Sequence, residues 1–121
     1  MDSREDQIKR AYEDLRTARL DMHEVSEKDL AARTTLKQKE AALLLSGAII
    51  GKNAETRDAQ LKEGCKEELE AVEAARLEKA DAQLRMDLAG IRVQELQWLI
   101  RNDQAIADLD ARGYVTSTTH D

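Results

Sequence analysis

Side chains able to do chemistry are few in this 121-residue chain, and they are scattered. The histidines are His23 and His120, and His23 has a carboxylate, Glu27, four residues away. One imidazole and one carboxylate make half of a metal site, because transition-metal centres usually take three or four ligands. A surface pair of His23 with Glu27 is the expected arrangement. Cys65 is the single cysteine, with Lys62 and Lys66 nearby to lower its pKa and Glu63 and Glu68 to oppose them. It falls on an apolar stripe and no histidine is placed by local sequence as its base. It is therefore expected to be buried and to behave as a small hydrophobe. Being alone, it closes no internal disulfide, which suits a reduced cellular interior. The run Gly47-Ala-Ile-Ile-Gly51-Lys52-Asn53 resembles a phosphate-binding loop only superficially. It lacks the full spacing, the hydroxyl residue after lysine and the preceding strand. No catalytic residue, metal ligand or cofactor set is expected, and without an acid–base constellation the chain reads as a non-enzyme.

The elements that would position these residues are long helices. Ile8, Leu15, Met22, Leu36, Leu43 and Ile50 fall on a seven-residue series broken only by Asp29. Ala11, Ala18, Val25 and Ala32 follow three residues after members of that series. A second series, Leu77, Leu84, Ile91 and Trp98, runs at the same interval. Proline and phenylalanine are absent, over a third of the residues are charged, and the apolar residues are mostly Ala and Leu. This is the composition of coiled coils and long helices. The fold expected is all-α: an antiparallel two-helix coiled-coil hairpin.

Helix one is predicted over about 3–50, opened by Asp2 or Ser3, with Asp29 and Lys39 as polar interruptions of its seam. Gly51, in the left-handed conformation, is expected to end it, and Asn53 to cap the next helix. Residues 51–53 then form the reversal, with Gly47 serving close helix crossing or bending nearby. Helix two is predicted over about 54–112, its inner stripe led by Leu61, Cys65, Leu69 and Val72. A five-residue step from Val72 to Leu77 implies a stutter before Leu77, Leu84, Leu88, Ile91 and Trp98 continue the stripe. With this turn, residues whose numbers sum to about 103–104 would face each other, a register set by a short link. Gly113 is the natural stop, and residues 113–121 are expected to form a flexible tail.

The segment 44–61 carries a pattern of its own: a Leu, a Gly three residues on, Gly51-Lys52-Asn53, then Arg57, Ala59 and Leu61. It resembles small coiled-coil hairpin proteins encoded by bacteriophages and prophages. The resemblance implies an accessory or host-interaction role near replication, recombination or host-defence functions, and it implies no catalytic residues.

The formal charge of −6 is spread as −1, −2 and −3 over residues 1–50, 51–80 and 81–121, so no segment is basic. Direct binding to nucleic-acid backbone is not expected from that distribution. The N-terminus has no apolar signal-peptide core, and the longest apolar stretch, 41–50, is too short to span a bilayer. A host-cell cytoplasmic protein without membrane contact is expected. From Met86 to Ile100 the apolar residues wrap more than one stripe, and a two-helix hairpin covers only one. Leu84, Leu88, Ile91, Leu96, Trp98 and Ile100 are therefore expected to form a partner or dimer interface. Two hairpins joined through residues 84–100 would make a four-helix bundle, a homodimer with C2 symmetry. Lys52 and Arg57 are candidates for a further partner contact at the tip. The function expected is protein–protein interaction by a phage or prophage accessory protein. A structural or scaffolding role in a larger assembly, such as a virion, is the alternative.

Overall fold

A computed structural model describes residues 2–113 of the chain. It contains three helices and, among the described residues, no strand: α1 Arg4–Leu45, α2 Ala54–Gly64 and α3 Lys66–Ala111. The expected flexible tail, apart from Gly113, lies outside the described residues. The two long helices pack against each other, and the chain divides into two compact units. One unit gathers Met1–Ala18 with Arg85–Asp121; the other is Arg19–Leu84.

Local chemistry sets the ends of α1. Ser3 Oγ accepts the Asp6 amide at 3.1 Å, and Glu5 and Asp6 lie in the first turn. Both features satisfy the free amides and the positive dipole end of a helix. At the other end α1 stops at Leu45, earlier than expected. Gly47 takes the left-handed conformation, with φ of +76°, and Gly51 does not. The amide of Ser46 still reaches Ala42 O at 3.0 Å, so Gly47 sits where a helix commonly turns out of its spiral. Ile50 is accordingly no seam residue; it lies beyond the helix and is 77% exposed.

Residues 48–51 are non-helical, and their path decides the register of the Arg19–Leu84 unit. Gln60 Oε1 accepts the amides of Ile50 at 2.9 Å and Gly51 at 3.0 Å, tying the link to the second turn of α2. Gly51 is needed for space rather than for its φ. A Cβ there would stand 2.8 Å from Arg57 N and 2.9 Å from Thr56 Cγ2. Asn53 caps α2, its side chain accepting the Thr56 amide at 2.8 Å. Because the link runs on before α2 turns back, partners in this unit fall further along the returning chain than a three-residue reversal would put them. Leu43 presses on Gly64, whose absent Cβ would lie 2.7 Å from Leu43 Cδ1. Asp29 pairs with Lys79 at 3.5 Å.

The returning helix is two elements, not one. Cys65, at φ −112° and ψ 21°, separates α2 from α3. The hydrogen-bond ladder nonetheless passes through it, from Cys65 N to Leu61 O at 2.9 Å and from Leu69 N to Cys65 O at 2.8 Å. The break between α2 and α3 thus falls at Gly64 and Cys65, where Leu43 occupies the space beside Gly64. Leu69 is exposed at 37%, and Glu68 takes the half-buried place expected of it.

The inner face of α1 runs through Ile8, Ala11, Leu15, Ala18, Met22, Val25, Asp29, Ala32, Leu36 and Leu43, all buried or half-buried; Lys39 is exposed. The inner face of the return runs through Leu61, Cys65, Glu68, Val72, Ala75, Lys79, Ala82, Met86, Ala89, Val93 and Leu96. These positions alternate steps of four and three without interruption, so the expected stutter is absent. Leu77, Leu84, Leu88, Ile91 and Trp98, expected inside, are 50–60% exposed. Alanines at 75, 82 and 89 take the seam instead, because small side chains let two helix backbones approach closely where a row of leucines would hold them apart.

The core of the unit holding both ends of the hairpin comprises Ala11, Leu15, Val93 and Leu96, flanked by Ile8, Met86, Ala89 and Leu99. Two polar contacts frame it in antiparallel order. Arg4 Nε reaches Asp103 Oδ2 at 3.2 Å, and Gln97 Nε2 donates to Tyr12 Oη at 2.6 Å.

Candidate functional site

The residues weighed for chemistry stay apart. His23 Nε2 lies 4.0 Å from Glu27 Oε1 on an exposed face. Among the described residues no group of three His, Cys, Asp or Glu side chains is placed to hold a metal ion. Cys65 is 1% exposed, and burial, with the carboxylates of Glu40 and Glu68, pushes its thiol above the usual range. A thiol in that setting resists ionisation and is a poor nucleophile. Arg76 grips Glu73 at 2.6 Å and holds that carboxyl below its usual range, but both groups are in solvent and three residues apart on one helix. Gly47, Gly51 and Asn53 build the link between α1 and α2, while Lys52 and Arg57 are exposed there. Leu45, 89% exposed, and Ile50 make that end apolar as well.

The surface that stands out is the outward line of α3. Leu88, Ile91 and Trp98 are 56%, 50% and 60% exposed and share one side of the helix. Ile91, Gln94, Glu95, Trp98 and Leu99 line a shallow, mainly apolar groove. Glu95 is held beside it by Arg92 at 3.4 Å. Two apolar faces therefore leave this stretch of α3 in different directions. Val93 and Leu96 serve the core against α1, and Ile91 and Trp98 face solvent. A contiguous exposed apolar patch rimmed by polar groups is the usual mark of a contact surface, and a large aromatic at its centre is the usual anchor.

Of the six interface residues expected from sequence, Leu84, Leu88, Ile91 and Trp98 are exposed at 50–60%. Ile100 is half-buried and lines a separate groove with Ile8, Gln97 and Arg101. Leu96 is a correction: it is 0% exposed, within the core against α1, and has no surface to offer a partner. Sequence reasoning placed Ile91 and Trp98 on the seam as well as on the interface; their exposure of 50% and 60% removes them from the seam. It also passed over Ile106 and Leu109, which are 52% and 43% exposed. Their spacing from Leu99 and from Leu88 in multiples of seven was the signal available.

No helix among the described residues is long and apolar enough to cross a membrane. Comparison with protein families, with curated proteins and with solved structures finds no match for this chain.

Proposed function

We propose that this protein works without turnover, by protein–protein contact through the outward apolar line of α3. Copies of the hairpin associate through that line into a C2 four-helix bundle, and the assembly serves a phage or prophage as an accessory protein in the host cytoplasm. One observation carries the reading. Leu84, Leu88, Ile91 and Trp98 project outward from the same helix that spends its inner face on α1. Leaving them in water costs about 25 cal/mol for each Å² that a partner could cover. Helix-on-helix docking uses such a surface directly, through anchors at helical spacing. The accessory role rests on the resemblance of residues 44–61 to phage-encoded hairpins, and the acidic balance argues against bare nucleic acid as the partner.

Sedimentation equilibrium of the parent and of Trp98→Ala, both checked for helicity, tests this. The parent is expected to run above the 13.6 kDa of one chain at micromolar concentration, and the variant to shift towards it. A parent that stays monomeric, binds no protein from bacterial lysate and binds DNA tightly at physiological salt would overturn the proposal.

A further inference from the structure

α3 outlasts its partner. α1 begins at Arg4, whose guanidinium reaches Asp103, yet α3 continues to Ala111, and residues 101–112 are all exposed. Helical stability in proteins comes mostly from packing an apolar face, so a helix end beyond its partner is weakly supported unless something else covers it. The outward line also continues along this end. From Leu88 it steps through Ile91, Glu95, Trp98, Asn102 and Ala105 to Leu109, alternating three and four residues throughout. Leu99 and Ile106 border it on one side. Alternating steps of three and four over about 31 Å make a seam for another helix, not a pocket for a small ligand.

We infer that the occupant is the outward face of α3 from a second copy, lying antiparallel with its two-fold between Trp98 and Leu99. This rests on the self-association proposed above and specifies where and how it occurs. The seam is self-complementary in that arrangement. Trp98 packs on Leu99 of the other copy, on either side of the two-fold. Leu88 faces Leu109 of the other copy, Ile91 faces the turn of Ala105 and Ile106, and Glu95 faces Asn102. Each polar seam residue thus meets a polar one, and the Asn102 amide can donate to the Glu95 carboxylate. A parallel pairing would set Glu95 against Glu95, like charges at close range. The need for a second copy is also visible in the core: among the described residues, this unit's buried apolar side chains are Ala11, Leu15 and Ala18 from α1 and Val93 and Leu96 from α3. Cores this small usually need oligomerisation or another staple.

The experiment uses the full chain in a Cys65→Ala background whose helicity and mass match the parent. Leu88→Cys and Leu109→Cys are introduced singly and together, and the proteins are oxidised and run without reductant. The double variant is expected to give covalent dimer while neither single variant does, since each position faces the other only across the two-fold. Leu109→Glu should weaken association at least tenfold by sedimentation while the monomer stays helical. A dimeric parent in which Leu88→Cys alone cross-links, or in which Leu109→Glu leaves association unchanged, overturns the antiparallel arrangement but not self-association. A monomeric parent overturns both.

Discussion

Gly90→Ala separates two reasons for finding glycine inside a helix. Gly90 lies inside α3 and Gly64 is the last residue of α2, and a central glycine costs about 1 kcal/mol against alanine through backbone entropy. Gly64 has a local reason to be there, since an added Cβ would stand 2.7 Å from Leu43 Cδ1 and 3.8 Å from Leu43 Cδ2 and Cγ. Gly90 has none: beyond its chain neighbours and its own helix backbone, nothing lies within 4 Å of the position its Cβ would take. Its φ is also ordinary, as the positive values belong to Gly47 and Gly113. Gly90→Ala should therefore gain nearly the whole propensity difference, about 1 kcal/mol. For a chain of this size that raises Tm by about 3–5 °C. At Gly64, the last residue of α2, the gain is smaller and is offset by the shift demanded of Leu43, so Gly64→Ala should fall well below Gly90→Ala. Thermal melts followed by circular dichroism at 222 nm, with urea melts as a second measure, give both values at one fixed protein concentration. Holding concentration fixed matters because association would couple to Tm. If Gly90→Ala melts at or below the parent, while remaining as helical and as associated, something occupies that space and the placement of this face of α3 is wrong.

Three further outcomes follow from other parts of the chain. Asn53→Ala removes the acceptor of the Thr56 amide and should cost about 1 kcal/mol in a urea melt; no change in the midpoint would mean that α2 starts elsewhere. Asp29 is the one buried charged residue among those described, held by Arg33 at 2.8 Å and Lys79 at 3.5 Å. Asp29→Ala should cost about 1–2 kcal/mol, less than a fully buried pair because both cations are partly in solvent, whereas Asp29→Leu with Lys79→Leu should raise the midpoint at the expense of register. Cys65 should react slowly with a thiol reagent in the native protein and rapidly in denaturant, because it is enclosed and its thiol titrates above the usual range. The same shift means that its share of stability is present at neutral pH and is lost as pH rises past the ordinary thiol range, where the unfolded chain releases the proton first; equal labelling rates in both states would contradict the burial.

What sequence alone determined here is what depends on neighbours in the chain. The absence of proline, the abundance of helix formers and the spacing of Ile8, Leu15, Met22, Leu36 and Leu43 make α1 helical and choose its inner face, because it has one continuous apolar stripe. Ser3 and Asn53 cap helices because their side chains reach amides three residues on, a contact that needs no tertiary partner. On α3 the same reasoning meets two stripes. Leu77, Leu84, Leu88, Ile91 and Trp98 are the larger, yet Ala75, Ala82, Ala89, Val93 and Leu96 face α1. Side-chain size ranks the cost of exposure, but it does not say how near the opposing backbone will come. That distance is a property of the packed pair, and at close approach alanine fits where leucine does not. The reversal divides in the same way. Gly47 and Gly51 are equally able to leave a helix by their own chemistry, and the choice of Gly47 accompanies the capture of two link amides by Gln60, ten and nine residues away. Only the folded chain brings that carboxamide to the link, and the register of the seam follows from it.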